Sequence, residues 1–116
     1  MVDRETLKDC QVCLIGYLLK NIKDIDKLSI TKDYLKDFSI QGKKYNFKYI
    51  FEKIAQIHKE NRDNEMLQIL STDEQIDMNI IMEIIQGNPL EQIGAILSKE
   101  GTIIQAYKVL NRKLYP

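Results

Sequence analysis

Apolar side chains recur along most of this chain at the three- and four-residue steps of an α-helix, most densely between residues 72 and 87. Thr72 and Gln75 have the spacing of a capping box at the start of a helix. Gly87 can adopt the left-handed conformation that closes a helix, and Pro89 cannot continue one. We therefore expect a central helix over residues 72–87.

From Gln75 onward the polar residues, with one exception, occupy a narrow wedge of the helix, so neighbours should cover it on nearly all sides. The wedge holds Gln75, Asn79, Glu83 and Gln86. The exception is Asp77, whose place in the first turn lets it interact favourably with the positive helix end. The pattern favours a core helix. The alternative is that part of the apolar arc contacts a partner protein.

The N-terminal pattern predicts a long amphipathic helix from residue 3 to about residue 23. Its apolar positions are Leu7, Cys10, Leu14, Tyr17, Leu18, Ile22 and Ile25, widened by Val12, Ile15 and Leu19. A stripe of this width either packs against two neighbouring helices or leaves one side for another chain.

Residues 24–46 have the least regular pattern. KLSI alternates like a strand, whereas TKDYLKDF has the spacing of a short helix that Thr31 can cap. Residues 38–47 predict a small hairpin with Gly42 and Lys43 in the turn, because Gly at the first turn position suits a type II′ connection. Such a hairpin needs a helix beneath it to be stable in water.

A strongly amphipathic helix is predicted over residues 47–58, with Asn46 as its cap. Residues 61–64 interrupt the pattern, and a short apolar helix over residues 66–70 follows. The stretch FSIQGKKYNFKYIFEKI resembles the hairpin and following helix of small phage tail-assembly chaperones. This resemblance covers 17 of the 116 residues, and we carry no function over from it.

Two further helices are predicted beyond Pro89, one ending near Gly101 and one over residues 102–114. The second has apolar residues in the four-three-four spacing of a coiled-coil seam, namely Ile103, Tyr107, Leu110 and Leu114. Together these patterns predict a single, mainly α-helical domain over residues 1–116. We expect a compact bundle of five to seven helices, with a small β-hairpin near residues 38–47 as an optional addition.

Seventeen basic and seventeen acidic residues balance, but they are unevenly distributed. Residues 43–62 carry six basic and two acidic side chains, residues 63–100 one basic and eight acidic, and residues 101–116 three basic and none acidic. This favours charge complementarity between packed helices, with head-to-tail self-association as an extension.

No stretch approaches the roughly 18 consecutive apolar residues of a membrane helix, and the start lacks a signal-peptide pattern. We expect a cytoplasmic protein.

Candidate catalytic and metal-binding residues are few. Cys10 and Cys13 form a C-x-x-C pair, but a tetrahedral zinc site needs four donors, and His58 is the only histidine. Two thiols within a helix are typical of buried cysteines, and a histidine near a helix end is typical of a structural residue. The sequence predicts no catalytic residue, no cofactor and no metal.

The stretch over residues 90–114 has the spacing of a helix-turn-helix. Its second helix would present polar side chains to DNA, namely Thr102, Gln105, Lys108, Asn111 and Arg112. Phosphate binding depends on local basic charge, which is small here, and the first helix lies in the acidic stretch. A DNA-binding transcriptional regulator is therefore the alternative hypothesis.

The leading hypothesis is a non-enzymatic helical protein-interaction module, such as an adaptor, inhibitor or assembly factor, that self-associates and does not contact a membrane. Tyrosine and large aliphatic residues dominate many interfaces. The predicted contact residues are Tyr17, Ile103, Tyr107 and Leu114.

Overall fold

A computed structural model describes residues 4–26 and 32–86 of the chain. In order, the helices and strands are α1 (Arg4–Lys20), β1 (Phe38–Ile40), β2 (Lys43–Tyr45), α2 (Phe47–Lys59), α3 (Met66–Thr72) and α4 (Met78–Gln86). Single 3-10 turns lie at Ile22–Asp24, Lys32–Tyr34 and Asp63–Glu65. The mainly helical class and the hairpin are confirmed.

The described residues hold four α-helices, fewer than the five to seven predicted. The helix expected within TKDYLKDF is only the 3-10 turn Lys32–Tyr34. The strand expected at KLSI, the Thr31 cap, and the two helices expected beyond Pro89 lie outside the described residues.

The core lies where α1, α2 and α4 meet, and α1 packs directly against α4. Its fully buried apolar side chains are Ile15, Leu18, Leu35, Phe47, Ile50, Ile54, Ile57, Leu70, Ile80, Ile81 and Ile84. On α2 the buried positions recur at three- and four-residue steps, as the sequence predicted.

The predicted helix start at Thr72 is wrong. Thr72 is the last residue of α3, and its hydroxyl donates a hydrogen bond to the Ile69 carbonyl (2.9 Å). Residues 73–77 form a bend, and α4 begins at Met78. The Asp77 carboxylate accepts a hydrogen bond from the Asn79 amide (2.8 Å), so Asp77 caps α4. This role explains an acidic residue within an apolar stretch.

The expectation that neighbours cover α4 on nearly all sides is also wrong. Met82 is 45% exposed, and Asn79 and Gln86, which share its side of the helix, are exposed as well. Ile80, Ile81 and Ile84 form the buried side. The position of Gly87 and Pro89 at the predicted helix end lies outside the described residues.

The Asn46 side chain does not cap α2, contrary to the prediction. A contact with Asp37 stabilises the start of the helix instead, and a local turn at Asn61 ends it. The Asn46 side chain donates to the Gln75 carbonyl (2.9 Å), while the Asp37 carboxylate accepts from the Lys48 amide in the first turn (3.0 Å). At the other end, Asn61 adopts a left-handed φ of 58°. The amide of Arg62 donates to the Ile57 carbonyl (3.1 Å) in a Schellman motif that ends the helix.

The hairpin turn lies one residue earlier than predicted. Strands β1 and β2 are antiparallel, with Ile40 opposite Lys43, so the two turn residues are Gln41 and Gly42. Both have positive φ, 51° and 80°, as a type I′ turn requires and a type II′ turn does not. On the inner face Tyr45 stacks on Phe47 of α2, with ring centroids 5.5 Å apart.

A partly buried ion cluster ties α1, the hairpin and α4 together. Glu83 accepts hydrogen bonds from the ammonium groups of Lys8 (3.0 Å) and Lys43 (3.2 Å) and from the Tyr45 hydroxyl (3.0 Å). Burial alone would raise the pKa of Glu83, but these three donors outweigh it and hold the pKa below its usual value of 4.5. The cluster therefore stabilises the ionised carboxylate.

We expect Glu83→Gln to lower the free energy of unfolding by about 1–2 kcal/mol at pH 7, because it removes the partly buried carboxylate that the ammonium groups of Lys8 and Lys43 share. A pKa depressed in the folded state stabilises it above about pH 4.5 and ceases to do so as the pH falls through the lowered pKa. The difference between the two proteins should therefore shrink in acid. Urea unfolding at pH 7 and pH 3 measures this, with the exposed Glu74→Gln as control. An equal loss at both pH values would contradict the prediction.

Charge complementarity between the basic and acidic stretches is present in the fold. At least three cations of residues 43–62 pair with acidic residues of the next stretch, through Lys43 to Glu83, Lys53 to Asp73 and Arg62 to Glu65. Some of the basic and acidic residues of these two stretches therefore pair with each other inside the fold.

Candidate interaction cleft

A cleft of about 380 Å³ opens where the second half of α1 faces the start of α3 and the end of α4. Its described lining residues are Gly16, Leu19 and Lys20 of α1, Asp63 and Asn64 of the turn before α3, Met66, Leu67 and Gln68 of α3, and Ile85 of α4. Its wall is mostly apolar, and the charged residues among its described lining are Lys20 and Asp63. A surface of this kind suits an apolar side of another helix.

Leu67 is the most exposed large apolar residue in the described part of the chain, at 52%. It lies on α3, whose Met66 and Leu70 point into the core. Because α3 has only seven residues and buries one side, the other side carries Leu67 to the surface beside the cleft. Half of a leucine side chain is therefore available to a ligand without any change in the fold.

His58 lies in the last turn of α2 between two carboxylates. Its Nδ1 atom is 2.9 Å from Asp63 Oδ1, and its Nε2 atom is 3.2 Å from Asp26 Oδ2. The ring is 17% exposed, whereas Asp26 is 81% exposed. The hydrogen bond with Asp63 and, secondarily, that with Asp26 raise the pKa of His58 above its usual 6.5 and outweigh its partial burial.

This arrangement does not suit a general base, because a carboxylate occupies each ring nitrogen and leaves none facing a substrate. It does connect three parts of the chain, namely the end of α2, the segment that follows α1, and the turn before α3. Through Asp63 it also reaches the cleft, since that aspartate is one of the lining residues. His58 was predicted to lie near a helix end, and it lies in the last turn of α2.

Of the four predicted contact residues, the structure describes only Tyr17. Tyr17 is half-buried and packs against the core, and it is not among the described residues that line the cleft. The other three, Ile103, Tyr107 and Leu114, lie outside the described residues. So do the residues predicted to contact DNA, which are Thr102, Gln105, Lys108, Asn111 and Arg112.

Among the described residues no group of three or more histidine, cysteine, aspartate or glutamate side chains is arranged to hold a metal ion. Cys13 is buried, as expected for one of the two cysteines. Within the same ranges, no helix combines the length and apolar character that crossing a bilayer requires.

Sequence reasoning missed the cleft and the exposure of Leu67. One signal was present, because Met66, Leu67, Ile69 and Leu70 place four apolar residues within five positions. A helix of this length on a protein surface cannot bury residues on all sides, so at least one of the four must face outward.

Comparisons with protein families, with curated proteins and with solved structures give no match to this chain.

Proposed function

We propose that this protein is a non-enzymatic interaction module that binds an amphipathic helix in the cleft between α1, α3 and α4, and that the helix belongs to a second copy of the chain. The single observation that carries the proposal is the half-exposed Leu67 beside an apolar cleft. Covering a leucine side chain contributes about 1.5–3 kcal/mol when burial is complete.

The sequence supports a second copy as the source of the helix. Residues 102–114 contain the apolar stripe predicted for self-association, with Ile103, Tyr107 and Leu114 among its members. In addition, residues 101–116 carry three basic and no acidic side chains, while residues 63–86 carry six acidic and no basic ones, of which Asp63 lines the cleft. The two segments are therefore complementary in charge. A reciprocal exchange between two copies forms a closed dimer.

Leu67→Asp is expected to weaken the dimer by at least about tenfold, because it places a charge where an apolar contact forms. Light scattering over a range of protein concentrations measures the dissociation constant. Met82→Asp is the matched control, since it places the same charge at a comparably exposed apolar position that is not among the described lining residues. We expect this control to leave the dissociation constant unchanged.

Two results would contradict the proposal. A protein that is strictly monomeric at every concentration would exclude a second copy as the ligand. Equal weakening by both variants would mean that self-association depends on general surface hydrophobicity and not on the cleft.

DNA binding remains the alternative, and it depends wholly on residues 90–114. It predicts retention on a DNA column that falls steeply with salt and weakens when Lys108 and Arg112 are replaced by alanine. Flow-through at low salt would exclude it. Light scattering and the DNA column thus separate the two hypotheses.

A further inference from the structure

We propose that His58 controls the cleft, so that the cleft is formed for binding when the imidazole is protonated and loosens when the imidazole loses its proton. The inference rests on the proposed function in one respect only, the identity of the site that is regulated. The structural link from His58 to the cleft is Asp63, which contacts the imidazole and also lines the cleft.

Asp63 has two roles at once. Its two carboxylate oxygens lie 2.9 and 3.0 Å from His58 Nδ1, and the same residue lines the cleft. Asn64, Met66 and Leu67 follow within four positions and line the cleft as well. One wall of the cleft is therefore built on the residue that His58 holds.

Asp26 holds the opposite edge of the ring. It lies after α1, on a different part of the chain from Asp63, and it does not line the cleft. Within the described residues, these two aspartates are the charged groups that act on the imidazole, one from the segment after α1 and one from the turn before α3. His58 itself lies in the last turn of α2, where the helix dipole favours a positive charge.

The protonation state of the His58 imidazole determines how many of these hydrogen bonds can form. An imidazolium ion has an N–H on both nitrogens and can donate to both aspartates at once. A neutral imidazole has one N–H, so one carboxylate then faces a nitrogen lone pair and is repelled. Since the pKa of His58 is raised above its usual 6.5, this change takes place above pH 6.5. A group whose pKa is raised in the folded state stabilises it below pH 6.5, and the stabilisation is lost as the pH rises through the raised pKa.

The test uses the full chain, in which the single histidine gives one unambiguous imidazole resonance in proton NMR. The chemical shifts of the His58 ring and of the Leu67 methyl groups are followed from pH 5.5 to 9 at a concentration at which the chain is monomeric. We expect both to titrate with the same midpoint, above pH 6.5. In parallel, the dimer dissociation constant should rise with pH, on the order of tenfold for each unit by which the midpoint differs between bound and free chains.

Asp26→Asn separates regulation from a merely structural role. Removing this carboxylate should lower the midpoint of the His58 ring, and the Leu67 midpoint should fall by the same amount. Asp26 itself does not line the cleft, so we expect the shift to reach Leu67 through the ring and Asp63. In His58→Gln the Leu67 methyl shifts should not change across the range.

A Leu67 signal that stays constant while His58 titrates, or that keeps its midpoint in Asp26→Asn, would overturn the inference. These NMR results do not depend on dimer formation. A protein that never dimerises but shows coupled midpoints would therefore contradict the proposed function while supporting the control of the cleft by His58.

Discussion

Phe47→Ala is expected to lower the free energy of unfolding by about 3–5 kcal/mol, because it removes a fully buried ring and leaves a cavity that the surroundings fill only in part. Phe47 is the first residue of α2 and joins that helix to the hairpin. Its ring lies 5.9 Å from that of Phe38 and 5.5 Å from that of Tyr45, between centroids. Its loss should therefore weaken both the core and the attachment of the hairpin.

Urea unfolding followed by circular dichroism measures this change. Since a protein of this size is usually stable by only about 5–15 kcal/mol, the milder variant Phe47→Leu provides a second measurement if the alanine variant is largely unfolded. We expect a smaller loss for leucine, in proportion to the smaller volume removed. Leu67→Ala is the control on the surface and should change stability by less than about 0.5 kcal/mol. A loss for Phe47→Ala below about 1.5 kcal/mol would be incompatible with a buried ring cluster.

Gln11→Leu is expected to lower the free energy of unfolding by about 2–4 kcal/mol, even though it places an apolar residue at a buried position. Gln11 is 0% exposed and is the buried polar side chain of the described core. Its amide nitrogen donates to the Lys36 carbonyl (3.1 Å), and its amide oxygen accepts from the Lys36 backbone amide (2.7 Å). Leucine matches the size of the side chain but leaves both backbone groups without these partners.

The same unfolding measurement tests this second substitution. Gln56→Leu on α2 is the matched control, because Gln56 is exposed and its hydrogen bond to Glu60 is at the surface. We expect the control to stay within about 0.5 kcal/mol of the parent protein. If Gln11→Leu were neutral or stabilising, the hydrogen bonds to Lys36 would not be what holds that segment on α1.

Elements determined by local pattern could be predicted from the sequence. Helix α2 was predicted within one residue, because its apolar residues fall on one face and Asn61 ends it through a local motif. The hairpin was also predicted, although its turn was misplaced by one residue. Gln41 was not expected to adopt a positive φ, since its side chain gains nothing from that conformation locally.

The start of α4 was mispredicted because two competing signals lie close together. Thr72 and Asp77 are both residue types that commonly cap the start of a helix. The sequence does not show which side-chain oxygen accepts a hydrogen bond from the backbone amide two residues later. In the structure Asp73 and Asp77 both do, accepting from the amides of Gln75 (2.9 Å) and Asn79 (2.8 Å). These consecutive contacts form the bend between α3 and α4 and shorten the central helix.

The cleft and the position of His58 could be predicted only in part, since both depend on contacts between distant residues. Asp63 lies five positions after His58, so that its proximity is visible in the sequence. Asp26 lies 32 positions before His58, and only the packing of α1 against the remaining helices brings it to the ring. The same packing creates the cleft, whose walls come from three helices.

The contact between α1 and α4 also determines when the protein can fold during its synthesis. Because α1 begins at Arg4 and α4 ends at Gln86, the side of α1 that packs against α4 stays uncovered until this last described helix has been synthesised. Such non-local contacts slow folding, since the loop between them must close first. A nascent chain that has emerged only as far as α3 would expose apolar residues of α1, and it should depend on chaperones until α4 has left the ribosome.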